Sequence, residues 1–155
     1  MIEGGCYCGE VRYVSEGAPF HETICHCVDC RRITGAANVA WFSAPASGFR
    51  FTAQAPVQHR SSANVIRTFC GVCGTALTYQ RTDLPDEVDV TIASADHPDR
   101  LAPGDHVRTS SRLAWDAVCD GLPTFSGSRK AGGEGGRLAQ PAALPLHLRV
   151  VSNGT

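Results

Sequence analysis

Cys25-His26-Cys27-Val28-Asp29-Cys30 sets three thiols inside residues 25–30, and two shorter groups stand on either side of it, Cys6-Tyr7-Cys8 and Cys70-Gly71-Val72-Cys73-Gly74. Seven of the eight cysteines fall in these groups, and Cys119 stands apart. Spacings of C-x-C, C-x-C-x2-C and C-x2-C bring thiolates from tight loops onto one ion, because metal–sulfur bonds are short, about 2.3 Å for zinc. Gly9, Gly71 and Gly74 beside the ligands suit loops that turn back with positive φ and aim backbone N–H groups at sulfur. Eight cysteines in 155 residues is too few for a disulfide scaffold and too many for ordinary packing. Clustered thiols of this kind read as metal ligands or catalytic groups.

A closed structural zinc site takes four ligands, whereas a reactive one takes three and keeps a position open. Two pairs and one triplet divide accordingly. Cys6, Cys8, Cys70 and Cys73 would staple two hairpins that lie some sixty residues apart, closing a long loop whose entropy opposes folding. Cys25, Cys27 and Cys30 would then hold a second ion with one open position. Two other readings of the triplet stay open. It recruits a fourth ligand from His21, His97, His106 or Cys119 and is a second structural site, or it acts as redox thiols without metal. His26, between two ligands, is expected to point away from the ion. His26, His97 and His106 read as surface or capping residues, and Cys119 as a small packed hydrophobe.

The remainder of the chain frames these groups. At 155 residues, 43% hydrophobic and 19% charged, it has the makings of one globular domain, but 7% aromatics, 16 glycines and 9 prolines imply a thin core that metal would supplement. The formal charge of −1 and pI near 6.6 disfavour nucleic acid as a partner. No apolar run approaches the ~20 residues of a membrane span. The first residues lack the basic start and apolar stretch of a secretory signal, so a cytoplasmic, reducing setting is expected.

Short strand-forming runs occupy 11–15, 37–42, 49–52, 57–60, 65–69, 75–79 and 87–92. One helical segment follows Cys27 through VDCRRITG, with Asp29 near its start and Gly35 as its stop, and a second turn is expected at 94–101, where Pro98 suits a first-turn position. The expected architecture is mainly β, with short antiparallel sheets and one or two helical turns. Functional residues are expected within 3–126. Residues 127–155, rich in glycine and proline, read as a flexible tail in which 146–151 (LHLRVV) is a candidate edge strand.

GGCYCGEVRY, CHCVDCRRITG, RTFCGVCGTAL and SSRLAWDAVCDGLPTF, in that order, resemble the successive motifs of the glutathione-dependent formaldehyde-activating family, whose domain is shared with the centromere-protein-V relatives. The resemblance spans residues 4–125. It implies an Mss4-like β-tent pinned by a structural zinc on Cys6, Cys8, Cys70 and Cys73, with an active zinc on Cys25, Cys27 and Cys30. It also implies a carbon–sulfur lyase of the S-(hydroxymethyl)glutathione synthase type, with glutathione and formaldehyde as partners. Three thiolates would leave zinc with a net charge of about −1, which favours binding a substrate thiol over activating a carbonyl. Glutathione brings two carboxylates, so Arg31, Arg32 and Arg67, close in sequence to the cysteines, are candidate partners for them. Trp41, Phe42 and Trp115 are expected in the core rather than in a pocket. The competing class is a non-catalytic zinc module or glutathione carrier.

Overall fold

Turn residues cut the chain into short extended runs, and across residues 1–129, which the computed structural model describes, these runs pair into two sheets. The strands are β1 (Ile2–Gly5), β2 (Arg12–Ser15), β3 (Phe20–Cys25), β4 (Val39–Pro45), β5 (Phe49–Phe51), β6 (Val57–Ser62), β7 (Val65–Phe69), β8 (Ala76–Arg81), β9 (Glu87–Thr91) and β10 (Asp105–Val107). A small sheet has the order β1-β2-β5, and a large one β10-β3-β4-β9-β8-β7-β6. Pairing is antiparallel except between β10 and β3. The expected mainly β architecture is what the chain adopts. The candidate strand at 146–151 and the rest of the tail from 130 lie outside the described residues. No described helix is long and apolar enough to cross a membrane.

Among the described residues the one α-helix, α1 (Val28–Thr34), is only seven residues long, too short to persist alone. Gly35 ends it as expected, while the N-cap is Cys27 and Asp29 lies in the first turn. Cys27 caps the N-terminus by accepting the Cys30 N–H on sulfur at 3.3 Å, and Gly35 closes the C-terminus at φ 69° with its N–H on the Arg31 carbonyl. Pro98 opens a 3-10 turn, Pro98–Arg100, inside the segment where a turn was expected.

Alternation along the strands gives the large sheet two unlike faces. Phe42, Ala44, Val88 and Val90 point to one side and are buried there with Val11, Tyr13 and Leu77 against the small sheet. The other face is polar. Arg67, Tyr79, Asp89 and Ser43 stand in register across β7, β8, β9 and β4, with Trp41 and Thr23 in the next row. That second face floors the cavity described below.

Three strands fall outside the sequence expectation. In β1 two of four residues are glycine, a composition that reads as a turn. The close approach of β2 demands it, since a Cβ on Gly4 would stand 2.3 Å from the Tyr13 hydroxyl. β3 mixes charged and apolar residues and is broken by a bulge between Phe20 and Thr23, where His21 adopts φ 56°. β10 is three residues long and is held by parallel pairing to β3, a partner some eighty residues earlier. Trp115 departs from expectation too: it is 74% exposed, because the segment after Ser111 runs over the surface, whereas Phe42 is fully buried.

Phe42→Ala is expected to cost about 3–5 kcal/mol of unfolding free energy, and Trp115→Ala to stay within about 0.5 kcal/mol, both read by urea denaturation. Similar small losses for the two would contradict this placement of the core.

Candidate active site

Two turns of matching design carry the first cysteine group. Cys6 and Cys8 lie between β1 and β2, and Cys70 and Cys73 between β7 and β8. In each turn the leading cysteine donates its N–H across the hairpin, Cys6 to the Val11 carbonyl and Cys70 to the Thr75 carbonyl. In each, a glycine with positive φ, Gly9 or Gly74, returns its N–H to that cysteine's carbonyl. The four Sγ atoms lie within 4.8 Å of one another, with Cys6–Cys8 at 3.5 Å and Cys8–Cys70 at 3.7 Å. A tetrahedron of sulfurs about 2.3 Å from a central ion has edges of about 3.8 Å, so the donor set fits one metal ion with every position filled. Backbone N–H groups of Val11 and Val72 point at Cys6 and Cys70 sulfur, at 3.2 and 3.4 Å, and so stabilise thiolates there.

Cys25 ends β3, Cys27 caps α1 and Cys30 sits in its first turn, bringing their three sulfurs within 4.8 Å. Interaction with the Cys25 and Cys30 thiols pulls the Cys27 thiol down to about 2, and the same sharing pushes Cys25 up. Among the described residues the group has three members only; His21, His97, His106 and Cys119 do not join it. Cys119 is exposed and packs against no core, contrary to expectation, because it lies in the surface segment that follows Ser111.

His26 points away from the sulfurs as expected, but neither it nor His106 is a surface or capping residue. Both are buried. His26 Nε2 lies 2.9 Å from His106 Nδ1, and His106 Nε2 lies 2.9 Å from Asp120 Oδ2. Asp116, held by Asn38, stands 3.4 Å from His26 Nδ1. Burial pushes the pKa of His26 down, and the charge of His106 adds to the shift. The chain of contacts buttresses the Cys25–Cys27 loop from behind. Sequence reasoning missed it because the pairing of β10 with β3 that joins the rings is long-range. His97 is exposed and precedes the Pro98 turn, as expected.

In front of the triplet opens a cavity of about 600 Å³, within the range typical of small-molecule sites. Its floor is the polar face of the large sheet. Arg67 is 6% exposed, packs its guanidinium 4.8 Å from the centre of the Tyr79 ring, and leaves Nε and Nη1 without a hydrogen-bond partner. Asp89 accepts a 2.5 Å bond from Ser43, and burial pushes its carboxyl up. The far wall is formed by residues 126–129, tied down by the Arg108 N–H on the Gly127 carbonyl and by Arg129 on Asp105. A boundary at 126 thus leaves out Gly127, Ser128 and Arg129, which line the cavity. Of the three candidate arginines only Arg67 reaches it. Arg31 and Arg32 line a separate concavity beside Leu113 and Trp115, on another side of α1. Trp41 is both buried and part of the cavity lining.

Residues 1–111 match the model of a protein family described as glutathione-dependent formaldehyde-activating enzyme. No curated protein matches the chain. Among solved structures, the crystal structure of a Rhodobacter sphaeroides protein, a structural-genomics target, is similar at 28% identity and a TM-score of 0.51, over 61% of this chain and 87% of that one. The family match ends where the surface segment begins, so Asp116, Asp120 and the far wall of the cavity lie beyond it.

The two groups should differ when a ligand is removed. Cys70→Ser is expected to lower the melting temperature by more than about 10 °C, and Cys27→Ser by less than about 5 °C. Comparable falls for both would mean that both groups carry the fold.

Proposed function

The chain belongs to the glutathione-dependent formaldehyde-activating enzyme family, and from that premise we propose that it is a zinc-dependent carbon–sulfur lyase joining a thiol of the glutathione type to formaldehyde. In this reading Cys6, Cys8, Cys70 and Cys73 hold a structural zinc, and Cys25, Cys27 and Cys30 hold a reactive one. The observation that carries the proposal is the opening of a three-cysteine group into a cavity whose floor holds a buried arginine without a hydrogen-bond partner on Nε or Nη1. Zinc bound there would supply a coordination position at which a substrate thiol is kept as thiolate at neutral pH.

The protein's own residues set where the substrate lies. Arg67 lines the cavity, and its guanidinium, packed 4.8 Å from the centre of the Tyr79 ring, would supply the positive charge for a substrate carboxylate. Trp41 and Tyr79 give the cavity apolar walls that thin the water around the sulfur. The new bond forms between the thiol sulfur and the aldehyde carbon. The carbonyl electron pair moves to oxygen, and the proton lost by the thiol ends on that oxygen through water at the open mouth of the cavity. The triplet, with the His26–His106 contact behind it, stays fixed during this exchange.

Adduct formation from formaldehyde and glutathione, followed by NMR exchange spectroscopy, tests the reading. The wild type is expected to exceed the uncatalysed rate, Cys27→Ser to fall to background, and Arg67→Ala to raise KM by about tenfold or more. A wild type that binds two zinc ions and never exceeds background would leave a carrier or interaction module in its place.

A further inference from the structure

His26 stands between two of the three clustered thiols, so the path of its backbone sets where Cys25 and Cys27 point. Its backbone N–H donates to the Val107 carbonyl at 3.1 Å, and its ring Nε2 lies 2.9 Å from His106 Nδ1. The other ring nitrogen, Nδ1, is buried without a hydrogen-bond partner. Asp116 Oδ2 faces it at 3.4 Å and accepts from the Asn38 amide instead. Among the described residues the contact with His106 is therefore the one hydrogen bond that holds the ring.

His106 is gripped in turn by the surface segment that follows Ser111. Its backbone N–H donates to the Pro123 carbonyl and its carbonyl accepts the Phe125 N–H, both at 2.8 Å. Asp120 is set in place by accepting the Leu122 N–H on Oδ1 at 3.0 Å, and its Oδ2 lies 2.9 Å from His106 Nε2. A carboxylate only accepts, so His106 carries its proton on Nε2 and presents a bare Nδ1, to which His26 donates from Nε2. The reversed chain, with His106 donating to His26 and His26 Nδ1 turned toward Asp116, would set a bare Nε2 against the Asp120 carboxylate at 2.9 Å. Asp120 thus selects one direction of the chain.

We propose that Asp120 is a positioning residue for the three-cysteine group: acting through His106 and His26, it fixes the loop that carries Cys25 and Cys27 and so sets how tightly the triplet holds its ion. The inference rests on the reading of Cys25, Cys27 and Cys30 as a metal site. Without Asp120 both directions of the chain are open, and the reversed one draws His26 toward Asp116 and away from His106, shifting the two thiols that flank it. Partners that orient the ligands of a metal typically change its affinity ten- to a hundredfold when removed, ~10–100. Asp120 lies beyond residues 1–111, so this tie comes from the part of the chain that the family match does not cover.

Zinc competition with a colorimetric chelator, on the full chain loaded with both ions, tests this without reference to turnover. Cys27→Ser identifies the ion held by the triplet. The Asp120 side chain is 42% exposed, so its replacement leaves the core intact. Asp120→Ala is expected to weaken the triplet's zinc about tenfold or more while the other ion is held as before. Long-range proton–nitrogen NMR on histidine-labelled protein should show His106 as the Nε2–H tautomer in the wild type and no longer confined to it in Asp120→Ala. Asp120→Asn, whose amide oxygen still accepts, should restore both readouts. Unchanged zinc affinity in Asp120→Ala, or an equal loss at both ions, overturns the positioning role and leaves the triplet standing as a metal site. A wild type that holds a single zinc overturns both.

Discussion

Four sulfur atoms held within 4.8 Å by two turns that lie 62 residues apart are the constraint on which the rest of the structure depends. Cys6 and Cys70 are buried in the main core cluster, packed among Val11, Tyr13 and Leu77. Converging thiolates in that position repel one another unless a cation lies between them. A chain with few aromatic residues and many glycines buries little apolar surface for its length, and a loop of sixty residues is costly to close. Binding one ion at this junction would couple metal affinity to folding. The paired hydrogen-bond pattern of the two turns shows that each is shaped for the purpose, from the backbone N–H groups aimed at sulfur to the glycines that allow the reversal.

The junction also positions the chemistry. Cys70 and Cys73 lie in the turn between β7 and β8, so the same turn that could hold an ion fixes the register of Arg67 against Tyr79. From there antiparallel pairing carries the row through Asp89 to Ser43. One face of these strands is spent on the core and the other is left to form a polar floor. The three-cysteine loop closes one side of that floor, braced from behind by the buried His26–His106 contact. A fixed sheet beneath a tight thiolate loop is a rigid platform, and rigidity is what a site of defined coordination requires.

What was legible in the sequence was local. The cysteine groups announce themselves by spacing, α1 by Asp29 near its start and Gly35 at its end, and the middle strands by their β-branched and aromatic residues. The rest depends on contacts between distant residues. β1 hides behind glycines that Tyr13 requires, and β10 exists only through its pairing with β3. Arg31 and Arg32 adjoin Cys30 in sequence, but the helix turns them to another surface, whereas Arg67, distant in sequence, reaches the cavity by cross-strand register. Asp89 gave no local signal, since an acidic residue in an alternating strand reads as solvent-facing until the sheet that surrounds it is known.

The central claim is that seven cysteines divide into a closed group of four and an open group of three. X-ray absorption at the zinc edge of the protein carrying both ions measures that division directly. A mean sulfur count between three and four per zinc, with a light atom completing the shell, is the expected result, rising to four when glutathione is added. Four sulfurs per zinc before any thiol is present, or a count that glutathione does not change, would contradict it.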